Sequence, residues 1–376
     1  MTPLRIPFIK LPSSQPHLAR EHLRQFAKVL SSSRFILGEQ VSRFEAEFAA
    51  FCGAPYSVSV ANGTEALQIA LRLSGVRPGL DQEVITTPWT ASFTVHAIVA
   101  AGGRTVFADV DPETLLLDPA ATRRQLSSRT AAIVPVHIYG QCCDMSAFGV
   151  LAKRSGCALV QDAAQAHGSA FRERPLTEFS DWATYSFYPT KNLGCFGDGG
   201  ALVTRKRALA EQARQFRDGG RRKDHTSHSE GINSRLDELQ AAVLRTHLRR
   251  LKEWNGRRQR LAARYDRLLA ERAARWVKTL PQAKNSRSSH HLYVIRTRRR
   301  DELRAFLLRR GIETMVHYDR PLHLHPAFRR LGYHRGDFPV AERAAREVCS
   351  LPLHPFLSDR DVDRITAEIA RFFARP

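Results

Sequence analysis

The chain has 376 residues, 43% of them hydrophobic and 25% charged, proportions of a folded globular protein that exclude a disordered chain and a membrane-embedded one. Its length calls for a large domain carrying a smaller one. The 58 Lys+Arg against 37 Asp+Glu leave a formal charge of +21, which ordinarily suggests a polyanionic partner; yet Thr204 to Arg310 alone holds 30 basic and 11 acidic residues, so one stretch carries nearly all of the excess.

In chain order, an N-terminal arm over residues 1–14 precedes two amphipathic segments, His17 to Leu30 and Gly38 to Phe51, where apolar residues recur every three or four positions. A strand and helix alternation follows: Tyr56 to Ala61 as strand, Thr64 to Leu73 as helix, Glu83 to Thr87 as strand, Ala91 to Ala101 as helix. Strands are predicted near Thr105 to Phe107, Ala131 to Val136, Ala158 to Asp162, Trp182 to Phe187 and Ala201 to Thr204, with helices between the earlier ones. Such alternation argues for an α/β fold with a mainly parallel sheet covered by helices on both faces. From Ser234 to about Arg272 the pattern is continuously helical, apolar along one stripe and arginine-rich on the other. Leu292 to Ile295 then reads as a strand, with Asp301 to Arg310 and Asp359 to Phe373 as helices. The division expected is a large domain over 15–245 and a small C-terminal domain over 246–376.

No stretch approaches the roughly 20 apolar residues of a spanning helix, and the first residues lack a secretory pattern. The cytoplasm is the expected location, with no membrane partner. Six cysteines stand without metal-site spacing, so neither zinc nor a disulfide framework is expected, and the adjacent Cys142 and Cys143 receive no role.

Chemistry concentrates at the ends of predicted strands. In SFYPTKNLGCFGDGG, Lys191 follows a strand and precedes glycines. An amine in a partly dry site loses its proton more easily than in water, and can then form a Schiff base with an aldehyde cofactor or a carbonyl substrate. About thirty residues earlier, Asp162 ends an apolar strand at the carboxyl edge where open α/β sheets bind ligands. A carboxylate there can pair with the protonated ring nitrogen of pyridoxal phosphate, an electron sink; Gln165 stands three residues on. Asn62, Gly63 and Thr64 join a strand to a helix, whose unpaired first amides suit a phosphate. Ser186 offers another phosphate contact, and Trp89, at a further strand edge, a broad face for stacking or for the core.

Taken in order, GTEAL, TTPWTASFTVHAI, DVDPETLLLDP, PVHIYGQ, QDAAQAHG, SFYPTKNLG, GDGGALVT, INSRLDELQAA and HYDRPLHLHPAF resemble the DegT family of pyridoxal-phosphate-dependent nucleotide-sugar aminotransferases, from about Ile36 to the carboxyl end. The resemblance implies the aspartate aminotransferase fold, fold type I, with a seven-stranded large-domain sheet and an α+β small domain, in a homodimer whose active sites lie at the subunit interface. It implies that Lys191 holds pyridoxal 5'-phosphate covalently, Asp162 pairs with the pyridine nitrogen, Trp89 stacks on the ring, and Gln165 lies beside it. Gly63, Thr64 and Ser186 would bind the phosphate, joined by Asn233 from the neighbouring subunit, while Tyr318 and His323 would border the sugar. Related sugar dehydratases carry histidine at the Lys191 position, so lysine here implies transamination. Gln161 replaces a common glutamate, Cys142 and Cys143 replace a common Pro-Ala pair, and Cys195 replaces a small residue, which would make the site sensitive to thiol reagents if exposed.

The reaction so implied moves nitrogen from an amino acid, L-glutamate by family analogy, to a nucleotide-diphosphate keto-sugar. QAHG and NSRLDELQAA resemble members that aminate carbon 3 of a dTDP-3-keto-6-deoxyhexose in deoxyaminosugar biosynthesis. A keto-inositol or 4-keto-sugar aminotransferase is the enzymatic alternative. A non-catalytic regulatory or nucleic-acid-binding protein on the same scaffold is the alternative from another class; no helix-turn-helix or aromatic RNA-binding signature supports it.

Overall fold

The computed structural model describes residues 5–374. Two helices, α1 (Pro16–Ser32) and α2 (Glu39–Phe51), lead into β1 (Tyr56–Val60), α3 (Gly63–Leu73), β2 (Glu83–Thr86), α4 (Phe93–Ala100) and β3 (Arg104–Phe107). Next come α5 (Pro119–Gln125), β4 (Thr130–Ile133), α6 (Met145–Ser155), β5 (Ala158–Asp162), β6 (Ala170–Phe171), β7 (Arg174–Pro175), β8 (Trp182–Ser186) and β9 (Gly200–Thr204). After α7 (Arg207–Phe216) and α8 (Glu238–Ala273) the chain forms β10 (Lys278–Thr279), β11 (Ser286–Arg287), β12 (Tyr293–Arg296) and α9 (Arg300–Arg309). It closes with α10 (Pro339–Glu347), β13 (Val348–Leu351) and α11 (Asp359–Phe373). None of the helices among the described residues is long and apolar enough to cross a membrane.

Seven strands form the main sheet in the order β1-β9-β8-β5-β4-β2-β3. Neighbours from β3 to β8 run parallel, whereas β9 runs antiparallel to both β8 and β1. The parallel strands are buried on both faces, as helices on both sides require. One apolar cluster packs Phe44, Phe48, Phe107 and Phe187 on one side, and a second packs Leu67, Ile69, Trp182 and Leu202 on the other. A third gathers Ile6, Leu261, Tyr265, Ile295, Phe306 and Ile365 around the sheet β10-β12-β13.

Helix α8 joins these regions. Its 36 residues span about 54 Å at 1.5 Å per residue; Ala241, Leu244 and Leu251 enter the first cluster, Leu261 to Ala273 the third. The helix begins at Glu238, not at Ser234 as its apolar spacing suggests. The reason is hydrogen bonding: the Ser234 amide donates to the Arg217 carbonyl (2.8 Å) and its hydroxyl accepts from the Ala61 amide (3.1 Å), which holds this segment outside the helix. Glu238 itself is buried, its carboxylate accepting the amides of Gly38, Gln40 and Val41 at the start of α2.

The parallel order puts the carboxyl ends of β5 and β8 side by side, Asp162 opposite Thr184. The loops leaving that edge hold the candidate residues.

Candidate active site

Helix α3 starts immediately after β1. The Asn62 side chain accepts the Glu65 amide (2.9 Å) and the Asn62 carbonyl accepts the Ala66 amide, leaving the Gly63 and Thr64 amides without an acceptor among the described residues. Close approach explains the glycine: a Cβ on Gly63 would lie 2.6 Å from the Ser186 Cβ. Gly200 is constrained in the same way, since a Cβ there would meet the Asn62 carbonyl oxygen at 2.3 Å. Gly63, Ser186 and Gly200 thus form one tight cradle in front of the helix, with Thr64 next in line. Gly200 had a readable signal in the GDGG run that opens β9.

Asp162 is buried at the end of β5. Its Oδ2 accepts from the Thr94 hydroxyl (2.9 Å) and its Oδ1 from the Ala164 amide (3.1 Å); no cationic side chain forms an ion pair with it among the described residues. Burial raises its pKa, against the lowering effects of the Ala164 amide, the Thr94 hydroxyl and Lys191. Thr94 was not foreseen: a threonine on an apolar helix carries no signal until β5 is placed beside it.

Lys191 lies on the loop after β8, its amide donating to the Tyr188 carbonyl (2.8 Å). Burial brings its pKa down from 10.5 to about 8, only partly opposed by the charge of Asp162. The structure therefore brings lysine and carboxylate within electrostatic reach at the edge of the sheet.

A wall of aromatic and amide groups closes the other side. The Gln165 Oε1 accepts from the Tyr139 amide (2.8 Å), and its Nε2 donates to the Tyr318 hydroxyl (3.3 Å). Trp89 donates from Nε1 to the Tyr139 hydroxyl (2.9 Å), and the ring of Tyr318 stands edge-on to it. The Tyr139 hydroxyl in turn donates to the His317 carbonyl. Trp89 is fully buried, so it presents no open face in this conformation, and a ring could stack on it only after that face is uncovered. Burial pushes the Tyr318 phenol up to about 12, keeping it a neutral donor.

Two expected residues have other partners. The side chain of His323 is 0% exposed, its Nε2 paired with Glu342 (3.1 Å) and its ring set edge-on against Phe338. It packs behind the wall and does not border a sugar site; the LHLH segment turns it inward because Leu322 is anchored by its amide to the Pro88 carbonyl. Asn233 is exposed, bridged through its backbone to Asp218, and makes none of the hydrogen bonds that join the other residues. Cys195 is buried with its thiol raised to about 12 by desolvation, so the expected route to thiol sensitivity is closed. Gln161 bridges His137 to the Leu176 carbonyl and the Ser180 hydroxyl, a neutral network where a carboxylate would lack charge compensation.

The model of the DegT/DnrJ/EryC1/StrS aminotransferase family matches residues 16–370. A Streptomyces venezuelae relative named dTDP-3-amino-3,4,6-trideoxy-alpha-D-glucose transaminase is 43% identical over 372 residues, which cover 99% of this chain and 97% of the relative. A Geobacillus stearothermophilus relative named pleiotropic regulatory protein is 43% identical over 370 residues, 98% of this chain and 99% of its own. Among solved structures, S. venezuelae DesV in complex with a ketimine intermediate superposes with a TM-score of 0.95 at 42% identity, covering 99% of both chains.

Proposed function

Because the chain belongs to the DegT/DnrJ/EryC1/StrS aminotransferase family and shares its fold type I architecture, we propose that it moves an amino group from L-glutamate to carbon 3 of a dTDP-linked 3-keto-6-deoxyhexose, with pyridoxal 5'-phosphate as cofactor. The carrying observation is Lys191, which desolvation brings down to about 8 within reach of Asp162. The acceptor follows the name of the S. venezuelae relative.

The residues fit this cofactor. Open amides at the start of α3 and the glycine-lined cradle suit a phosphate, and a buried carboxylate without a cationic pair suits a protonated ring nitrogen. Bound pyridoxal phosphate supplies an aldehyde carbon that exchanges amines and a ring that withdraws electrons from the substrate carbon. The protein does the rest. Gly63, Thr64 and Ser186 would hold the phosphate, and Asp162, oriented by Thr94 and Ala164, would favour a proton on the ring nitrogen. Lys191 Nζ, brought down to about 8, would hold the cofactor and, when free, would be placed to move a proton at the substrate carbon. Gln165 and Tyr318 offer hydrogen bonds at the wall, where Trp89 excludes water.

Asn233 enters the same proposal as a residue that completes the phosphate site of a second copy, in a cytoplasmic homodimer; its exposure supports that placement. The division into an arm (1–14, of which 1–4 lie outside the described residues), a large domain (15–245) and a small domain (246–376) stays part of the proposal; the apolar cluster around β10-β12-β13 supports a separate core for the last, which also takes in Ile6 of the arm.

The test is the visible spectrum of protein reconstituted with pyridoxal phosphate, before and after L-glutamate, followed by chromatography of products from 3-keto and 4-keto dTDP-sugars and a keto-inositol. Conversion of the cofactor to its amine form by L-glutamate, then amination of the 3-keto sugar, is expected. No amine exchange with any amino acid would overturn the reading; preference for another acceptor would replace the sugar while keeping the chemistry.

A further inference from the structure

The residue after Lys191 has an unusually complete set of partners. Asn192 is buried, and its Nδ2 donates to the Asn255 Oδ1 (2.9 Å) and to the Ser289 carbonyl (3.0 Å). Asn255, on α8, donates onward from Nδ2 to the His167 carbonyl (2.7 Å), in the turn that follows Asp162. The Oδ1 of Asn192 faces Nδ1 of His291 at 3.1 Å. Flipping the Asn192 amide would set its oxygen against two acceptors, so its orientation is fixed by donor accounting. It follows that His291 must donate from Nδ1. Burial and the nearby Lys191 and Arg258 keep this imidazole neutral, with one N–H to give.

The chain of donors therefore has one direction: His291 to Asn192, Asn192 to Asn255 and Ser289, and Asn255 to the turn beyond Asp162. It joins four separate pieces of backbone, namely the Lys191 loop, α8, the 163–168 turn and the segment leading into β12. A Cβ on Gly168 would lie 2.8 Å from the Asn255 Nδ2, so the turn is pressed close against this network. Asp162 ends β5 and Lys191 lies on the loop after the adjacent β8, and that loop shares no ladder with the turn after Asp162. The network supplies the missing link.

We propose that His291 is a positioning residue, whose Nδ1–H locks Asn192 and Asn255 and so holds the Lys191 loop in register with Asp162. This rests on the aminotransferase reading for its kinetic consequence, but its structural consequence stands apart from it. The amide nitrogen of asparagine falls near the Nδ1 position of histidine, whereas that of glutamine falls near Nε2. His291→Asn therefore keeps the donor, while His291→Gln and His291→Phe remove it.

Two measurements test the proposal on the full-length protein. In the cofactor-free protein, hydrogen–deuterium exchange over residues 188–194 should speed up in His291→Phe and His291→Gln and stay near wild type in His291→Asn. In the reconstituted enzyme, kcat should fall on the order of 10²-fold in the first two, with KM and cofactor affinity unchanged, and recover in the third. Asn192→Ala combined with His291→Phe should cost little more than Asn192→Ala alone. Equal exchange in all three His291 variants, or a loss in His291→Asn as deep as in His291→Phe, would overturn the inference. Inactivity of the wild type would instead strike the aminotransferase reading and leave the exchange result to decide this one.

Discussion

Lys191 and the arginines of α8 meet charge in opposite ways. At the site a single lysine faces a single carboxylate inside protein, and desolvation, not pairing, sets its proton affinity. Along α8 five arginines are paired with acids, Arg245 with Glu47, Arg249 and Arg250 with Glu21, Arg257 with Asp359 and Arg264 with Asp363, whereas Arg258 is buried against the carbonyls of His291 and Leu353. Pairing recurs further on, for Arg296 with Glu347 and Arg310 with Glu368. Each of these acids lies outside the basic stretch from Thr204 to Arg310. Folding thus sets six acids from outside the stretch against seven of its arginines, while the formal charge of the whole chain stays at +21. Charge count along a chain and charge on a folded surface are different quantities.

The largest effect that would break this contrast is expected from Lys191→Ala. It should abolish the lysine-bound cofactor band and lower turnover with L-glutamate by at least about 10⁴-fold, read by stopped-flow absorbance. Retention of turnover would mean that the amine is replaceable and that its low pKa is incidental. Asp162→Asn comes second. It keeps shape and the Thr94 and Ala164 neighbours but removes the charge, so kcat should fall by about 10²–10³-fold while the phosphate cradle still retains the cofactor. A fall in cofactor affinity with kcat unchanged would assign Asp162 to binding alone.

Much of this was legible beforehand, and the exceptions share a cause. Strand β5 and helix α11 follow from local pattern to the residue, and α11 also carries a capping box between Ser358 and Asp361. Strand β13 does not: VCSL follows α10 with no turn residue between, and its partners, β12 and Met315, lie far away in sequence. The antiparallel β9 is also hidden, since a short apolar run has no direction until its neighbours are known. At the site, Lys191, Asp162 and the Gly63 turn were readable because each ends an element with a residue whose chemistry is distinctive. Thr94, Tyr139 and Asn192 were not, because their roles are hydrogen bonds to groups supplied by other segments. His323 shows the converse: a histidine in a polar motif looks functional, and only packing reveals that it serves Glu342.

The site should also carry a stability cost that the ion-paired arginines of α8 do not. Below about pH 8 the folded protein must keep Lys191 charged in poorly solvated surroundings; between about 8 and 10.5 it has released a proton that the unfolded chain still holds. Stability therefore rises with pH across that window from this group, and the cost disappears above it. Removing the amine in cofactor-free Lys191→Met should stabilise the protein at pH 7 by roughly 1–3 kcal/mol, the lower end reflecting the charge of Asp162 left alone. Urea unfolding at pH 7 and pH 10 would check it: the gap between variant and wild type should narrow at the higher pH, and a gap independent of pH would assign the gain to packing.

The smallest effect belongs to the other side of the comparison. Arg264 reaches Asp363 through both Nε and Nη2 at 2.7 Å, the best geometry for a surface pair, and this bidentate contact ties α8 to α11. Asp363 is held below the usual carboxylate range, first by that hydrogen bond. Both side chains remain about a third exposed, at 31% and 38%, so water screens most of what the distance would otherwise provide. Arg264→Ala should cost only about 0.5–1 kcal/mol, shrink further in high salt, and leave kcat untouched. Urea unfolding at low and high ionic strength measures the first two. A salt-independent loss well above this range would mean that the arginine stem, and not its charge, packs α11 onto α8. That outcome would make the arginine-rich face of α8 a packing surface as well as a charged one.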